Sequence, residues 1–218
     1  MTIIADISNP ISTTPLSDYF NLIRPYAPGC ADVTAKFGLR QAATDFLERT
    51  RLWRYSAAYS ALENEPVAIT TPAGSVLIDI EKAIFDDVPL EPKTTAWLDE
   101  NMHGWRAGEF TGTPRYITQT EENTVILVPS ATGTLSLYVW LKPSPTADEL
   151  PEFMSEQHRT TLAHGALGYI LAIPNQSFTN MDMGASFAAS FGARLDKLFA
   201  KSSTGQQRAR VRSKTSMF

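Results

Sequence analysis

The stretch LRQAATDFLERTRLW, residues 39–53, carries the clearest structural signal in the chain, because its apolar side chains recur three or four positions apart. That spacing places them on one face of a helix, while charged residues fill much of the remaining surface. Asp32 is suited to cap the start of this helix, which we expect to run to about Tyr55. Its apolar positions are Leu39, Ala43, Phe46, Leu47, Thr50 and Trp53.

Three further segments have helical character. Thr14 and Pro15 predict the start of a short helix that ends before Pro28 and Gly29. Near the end of the chain, two longer helices are predicted, from Pro151 to about Ala172 and from about Met183 to Ala200. Their apolar stripes consist of Phe153, Leu162, Ala166, Tyr169 and Ile170 in the first, and of Phe187, Phe191, Leu195, Leu198 and Phe199 in the second.

Between these helical ends, proline and glycine separate short runs of β-branched and aromatic residues. The runs predict strands over residues 67–71, 75–85, 115–118, 124–128 and 134–141. In the last run apolar and more polar residues alternate, which is typical of a strand with two different faces. Residues 129–133 predict a hairpin loop that joins the last two strands. A short helix over residues 93–101 is expected to direct Trp97 and Leu98 inward.

These elements predict an α+β fold in which N- and C-terminal helices form one helical bundle. Each long helix has one apolar face and needs a partner to cover it. The expected organisation is a helical bundle from residues 1–55 and 146–200, a small antiparallel β insertion at 56–145, and an extended basic C-terminal arm at 201–218. The predicted helical core comprises Leu39, Phe46, Leu47, Trp53, Leu162, Tyr169, Phe187, Phe191 and Leu195.

The arm differs from the rest of the chain in charge. Residues 201–218 carry five basic side chains and no acidic one, whereas residues 1–200 carry 14 basic and 23 acidic side chains. A segment this polar cannot bury enough apolar surface to offset the entropy that it loses on ordering. We therefore expect a partner outside the chain to order the arm; the alternative is a solvated terminus that binds nothing.

The sequence carries no signature of an enzyme. It has no Gly-x-Ser-x-Gly motif, no phosphate loop and no dinucleotide fingerprint. His158 and His164 are six positions apart on a predicted helix, so they point to different faces and do not form a metal pair. Together with His103 they are interpreted as structural or surface residues, and neither a cofactor nor a metal is expected.

Two features leave a chemical alternative open. A set of carboxylates would suit a carboxylate pair or a magnesium site, although nothing nearby supplies a second catalytic group. Cys30 is either a nucleophile or a small buried hydrophobic residue, and as the only cysteine it excludes an intrachain disulfide. The carboxylates are Asp79, Glu81, Asp86, Asp87 and Glu91.

Composition also bears on partners. The chain has no run of about 18 apolar residues, which predicts no membrane span. Its body is acidic, which argues against a nucleic-acid-binding surface there, because such surfaces are basic.

Several stretches together resemble tailed-phage head-to-tail adaptor proteins. The segment PYAPGC, residues 25–30, is followed by LRQAA at 39–43, FLERT at 46–50 and then Trp53. Later similarities lie in residues 128–144, in AHGAL at 163–167 and in the ending from Arg210 to Phe218. The resemblance covers both helical ends and the second half of the β region, whereas residues 56–110 match only in general texture.

This resemblance implies a structural virion protein without catalytic residues or a cofactor. Its relatives form a ring, usually of twelve copies, beneath the portal, and the helical bundle forms the ring wall. The C-terminal arm lies along the portal, and the β region faces the tail or neighbouring subunits. By this resemblance the portal-binding arm contains Arg208, Arg210, Arg212, Lys214 and Phe218.

The implied partners are further copies of the chain, the portal protein and the tail or nozzle proteins. Genomic DNA would pass through the ring channel without specific binding, and no membrane is involved. The implied location is the tail or neck of the virion, after assembly in the host cytoplasm. The alternatives are another phage assembly subunit, such as a head-completion or tail-tube protein, or a virion-associated hydrolase.

Overall fold

The structure is a computed structural model that describes residues 12–107 and 110–202, with the side chains of 12–107 and 110–199. Within this part, the chain divides into two compact units. The helical unit contains residues 12–53 and 142–202, and the β unit contains residues 54–107 and 110–141. The α+β class expected from the sequence is confirmed.

The helices and strands are numbered in chain order. The helices are α1 Phe20–Ile23, α2 Asp32–Thr50, α3 Thr95–Asn101, α4 Glu152–Leu171 and α5 Met181–Ser202. The strands are β1 Thr13–Pro15, β2 Arg54–Ala61, β3 Val67–Ala68, β4 Ser75–Phe85, β5 Val88–Pro89, β6 Glu91–Pro92, β7 Tyr116–Thr118, β8 Thr124–Val128, β9 Gly133–Pro143 and β10 Glu149–Pro151.

The helix α2 ends five residues earlier than the sequence predicted. Arg51 adopts a left-handed conformation with φ 52° and ψ 41°, and its N–H donates to the carbonyl of Leu47 at 2.9 Å. A left-handed residue at this position satisfies the last carbonyls and stops the helix. Trp53 therefore lies beyond the helix, although it is buried, and Arg54 already belongs to β2.

The first predicted helix also begins differently. Residues 13–15 form β1, which pairs antiparallel with β10. A single 3₁₀ turn, Leu16–Tyr19, and the four-residue α1 follow. Pro15 thus ends a strand instead of occupying the first helical position, because its fixed φ is compatible with either conformation.

In the helical unit, α2, α4 and α5 pack against one another through small residues. A Cβ added at Gly38 of α2 would lie 2.8 Å from Ile170 of α4. A Cβ added at Gly165 of α4 would lie 2.8 Å from Ala42 and 3.0 Å from Phe191 of α5. Glycine at these two positions therefore allows a helix approach that any larger residue would obstruct.

The β unit contains two four-stranded sheets. The first has the order β2-β9-β4-β5, and β2 pairs antiparallel with β9 over all eight of its residues. The second has the order β3-β8-β7-β6, with β7 antiparallel to β8 and parallel to β6. The bounds predicted for β4 and β8 match the structure, since both are runs rich in β-branched residues between turn-forming segments.

The predicted hairpin between the last two strands is wrong. The strands β8 and β9 belong to different sheets, so residues 129–133 connect the sheets and do not turn one strand back onto its neighbour. The strand β9 instead lies between β4 and β2, and β2 is about 80 positions away in sequence. The residues of a loop do not reveal such a pairing, because a five-residue loop can form a hairpin within one sheet or connect two sheets.

Candidate functional site

The portal-binding residues predicted in the arm cannot be located. Arg208, Arg210, Arg212, Lys214 and Phe218 all lie outside the described residues. Their role remains a prediction from the sequence.

Most of the predicted helical core residues are buried in the helical unit. Seven of the nine have at most 7% of their surface exposed, namely Leu39, Phe46, Leu47, Trp53, Leu162, Phe191 and Leu195. Phe46 contacts the His158 ring at 4.8 Å between centroids, which places this histidine against the core. Phe187 is only half-buried, and its ring lies against Tyr26 and His164, both at 5.0 Å.

Tyr169 was assigned to the core, and the structure contradicts this assignment. Its side chain is 38% exposed, and its hydroxyl donates to the Asp45 carboxylate. Desolvation and then the contact with Asp45 raise the pKa of Tyr169 to about 12, so the hydroxyl stays protonated at neutral pH. Tyrosine can occupy a position of the apolar helical period while its hydroxyl reaches solvent, so the period alone does not show that it is buried.

Tyr169 and Asp45 border a groove of about 610 Å³ between α2, α4 and α5. The apolar floor contains Phe191 and Leu195, both nearly buried. A Cβ added at Gly192 would meet no atom within 4 Å, so the space above this glycine is open. The groove is further lined by Glu48, Arg49, Gly165, Gly168 and Ala188.

The charged residues at the rim of this groove differ in whether they form ion pairs. Arg49 forms an ion pair with Asp196, and Lys142 forms one with Glu48. Asp45 takes part in none of the ion pairs found among the described residues, and its contact is with the neutral Tyr169 hydroxyl. Among the described residues, the rim therefore presents one carboxylate, Asp45, that is outside the ion pairs.

The β unit has a smaller polar site around α3. Arg106 donates to both oxygens of Asp99, at 2.9 and 2.8 Å, and the Trp105 indole donates to the same carboxylate at 2.8 Å. The hydrogen bonds from Arg106 and Trp105 lower the pKa of Asp99 to about 2. These donors fix the carboxylate in place. We therefore interpret the site as structural, because it ties the 3₁₀ turn Trp105–Ala107 to α3.

The candidate catalytic and metal-binding residues do not converge on one site. Glu81 pairs with Arg54, Asp86 accepts from the Thr134 backbone, and Glu91 pairs with Lys93. Among residues 12–107 and 110–202, no group of three or more histidine, cysteine or acidic residues is arranged to hold a metal ion.

Cys30 is partly buried, and its environment opposes thiolate formation. Desolvation and the neighbouring Asp32 carboxylate both raise the pKa of the Cys30 thiol. The nucleophile is the thiolate, so a raised pKa makes this cysteine less reactive than a free one.

The model of the SU10 adaptor protein family matches residues 14–215 of the chain. The chain belongs to this family. No curated protein matches it. The SU10 adaptors are structural head-to-tail adaptor proteins of phages and not an enzyme family, as the resemblance in the sequence implied.

The match covers both units of this SU10 adaptor and continues through most of the basic arm. It therefore includes the region 56–110, where the sequence resembled adaptors only in texture. No helix in the described part of this SU10 adaptor is both long and apolar enough to cross a membrane.

Sequence reasoning missed the groove of this SU10 adaptor. Its walls come from positions more than 100 residues apart, so no local motif contains them. Two signals were present in the sequence. Asp45 lies at the edge of the apolar face of α2, and Gly192 interrupts the apolar stripe of α5 without a turn nearby.

Proposed function

We propose that this adaptor forms a ring of twelve copies that joins the portal to the tail and lines the channel through which DNA passes. The observation that carries the proposal is the family match, which spans residues 14–215 and so includes the arm with the two units. Because the family model extends into the arm, we interpret the arm as a functional segment and not as a solvated terminus.

In such a ring each subunit uses two different surfaces to contact its two neighbours, and the ring closes without free surfaces. Each arm contributes a weak contact, and repetition around the ring raises the overall strength of attachment. The basic arm is suited to this role, since arginine forks bind carboxylates in two-point contacts. In an extended arm, Arg208, Arg210 and Arg212 fall on one face because they alternate.

The acidic body suits the proposed channel. Residues 1–200 carry a net charge of −9, and negative walls do not hold the phosphates of passing DNA. The channel therefore needs no sequence-specific contact with DNA. The proposed site of action is the neck of the virion, with assembly in the host cytoplasm before release.

The proposal is tested by mixing the purified chain with the portal protein and imaging the particles by cryo-electron microscopy. We expect a ring of twelve adaptors seated on the portal. A deletion of residues 206–218 should leave the folded body intact and abolish attachment. Full attachment of the deleted protein would refute the role of the arm, and an adaptor that stays monomeric on the portal would refute the ring.

A charge-reversal variant separates protein binding from DNA binding. Arg208→Glu together with Arg210→Glu should abolish portal attachment and leave DNA affinity unchanged. The matched control is Arg115→Glu with Lys82→Glu, two exposed cations of the β unit. If the arm variant instead weakens DNA binding and retains attachment, the arginines contact DNA phosphates in the channel.

A further inference from the structure

The groove between α2, α4 and α5 is an apolar recess that no described residue fills. Phe191 and Leu195 form its floor, and a Cβ added at Gly192 would meet no atom within 4 Å. At about 610 Å³ it is large enough for several side chains of an extended peptide. An occupant must therefore bring apolar surface to the floor.

The occupant must also bring positive charge. Arg49 and Glu48, which line the groove, are already paired with Asp196 and Lys142, whereas the contact of Asp45 is with the neutral Tyr169 hydroxyl. A guanidinium placed beside Asp45 would gain a charge-assisted hydrogen bond and leave its aliphatic stem on the apolar floor. An extended segment that alternates arginine with small or apolar residues fits both requirements.

We propose that the occupant is the chain's own C-terminal arm, residues 203–218, in subunits that have not yet joined a portal. The arm contains Arg208, Arg210 and Arg212 on one extended face and Ala209 and Val211 on the other. It carries no acidic residue that Asp45 would repel. The sequence analysis expected a partner outside the chain to order the arm. The groove is a binding surface for the arm within the chain itself.

The length of the arm permits this placement. The groove residues Ala188–Leu195 lie about 7 to 14 positions before the end of α5 at Ser202, or roughly 10–20 Å along the helix at ~1.5 Å per residue. An extended chain covers at most ~3.3–3.6 Å per residue, so the 16 residues of the arm span about 50 Å. After a turn of a few residues, positions 208–212 reach the groove.

The placement also gives the arm two alternative binding sites, a consequence that rests on the proposed function. The same arginines cannot contact Asp45 and a portal at once. A docked arm does not bind other proteins until the ring meets a portal. The repeated portal contacts around the ring then bind more strongly together than one groove contact does. Premature attachment to other acidic surfaces is thereby reduced.

Tryptic cleavage of the full-length chain tests the groove contact. The rates of cleavage after Arg208, Arg210 and Arg212 are followed by intact mass, with a synthetic peptide of residues 203–218 as the reference. We expect the arm of the parent chain to be cut about tenfold more slowly than the peptide. Gly192→Leu, which fills the groove, and the nearly isosteric Asp45→Asn should each restore cleavage to within about twofold of the peptide rate.

Two control variants separate the groove from general effects on the helices. Ala193→Leu places the same side chain on an exposed position of α5 beside Gly192, and Glu156→Gln removes a charge from the exposed surface of α4. Both should be cleaved at the parent rate. Circular dichroism with thermal melting verifies that each variant is folded.

Three results would overturn the proposal. The first is a parent arm that is cut as fast as the peptide. The second is protection that survives both groove variants. The third is protection that disappears on hundredfold dilution, because an arm held by its own chain is protected at any concentration. Portal attachment is measured separately, so loss of the groove contact with intact attachment refutes only this inference, and the reverse result refutes only the proposed function.

Discussion

The helical unit and the β unit are stabilised in different ways. In the helical unit, α2 and α4 each contribute a continuous set of buried residues to one core. In the β unit, buried residues are divided between two sheets, and Val128 of β8 forms a small cluster with Leu98 and Trp105. The strand β4 shows the contrast most clearly, because residues 75–82 are nowhere fully buried, whereas Ala83 and Phe85 are.

This difference indicates where each unit tolerates change. A single core of interlocking helices transmits the loss of one side chain to all its neighbours, because interiors pack as tightly as crystals. A half-buried strand loses little when one side chain is shortened, since water already contacts it. Most side chains of β4 remain partly accessible to solvent, whereas Leu39, Phe46 and Leu47 of α2 are fully buried inside the unit.

The largest expected effect is at the centre of the helical core. Phe46→Ala should lower the free energy of unfolding by about 3–5 kcal/mol, because the ring is fully buried and its removal leaves a cavity. The matched control is Phe37→Ala on the same helix, where the side chain is 48% exposed and the expected loss is below about 1 kcal/mol. Urea denaturation followed by fluorescence measures both, and equal losses would show that Phe46 is not part of the core.

The second prediction compares two strands of the first β sheet. Leu137→Ala in β9 should cost about 2–5 kcal/mol, because this side chain is 1% exposed. Leu77→Ala in β4 should cost less than about 1 kcal/mol, since Leu77 is only half-buried. The free energies come from urea denaturation of the full chain. A large loss at Leu77 would mean that β4 is covered by further parts of the protein.

The third prediction uses two glycines on facing helices, for which the same substitution has opposite signs. Gly165→Ala should destabilise the chain by about 1–3 kcal/mol, because the new Cβ would lie 2.8 Å from the Ala42 Cβ. Gly192→Ala should stabilise it by about 0.5–1 kcal/mol, because nothing opposes the Cβ and alanine favours the helix. Thermal melting distinguishes the two directions, and a stabilising effect at Gly165 would contradict the close packing of α4.

The smallest effect is expected from the exposed polar anchor of α3 in the β unit. The pKa of Asp99 is lowered to about 2 by Arg106 and Trp105, below the ordinary value of about 3.9. Its contribution to stability is therefore complete above about pH 4 and is lost as the pH falls toward 2. Urea midpoints between pH 5 and 2 should decline less steeply in Asp99→Asn than in the parent, whereas Glu122→Gln should follow the parent. Identical slopes in all three proteins would show that the anchor does not titrate in this range.

The sequence was most informative where one helix or one strand contains the whole signal. The spans of α4 and α5 were predicted to within one or two residues, because apolar periodicity and flanking proline are local properties. The same applies to β4 and β8. The end of α2 was placed too late, because Trp53 continues the apolar period although Arg51 already leaves the helical conformation.

Pairing between distant segments was not accessible from the sequence. The strand β9 pairs with the distant β2, and the wrongly predicted hairpin came from the short distance between β8 and β9 along the chain. Tyr169 was placed in the core because it has the correct period, but its hydroxyl reaches Asp45 at the edge of the groove. In both cases the outcome depends on a residue more than 70 positions away.

The sequence alone determined the α+β class, the long helices, the acidic body with its basic arm, and the resemblance to head-to-tail adaptors. Each of these features follows from composition, from local periodicity or from the order of short motifs. Only the tertiary structure decided which strands pair, where α2 stops and which faces remain open, including the groove beside Gly192. Those features depend on close packing between distant segments, and the energy of such contacts is fixed by geometry that no single segment contains.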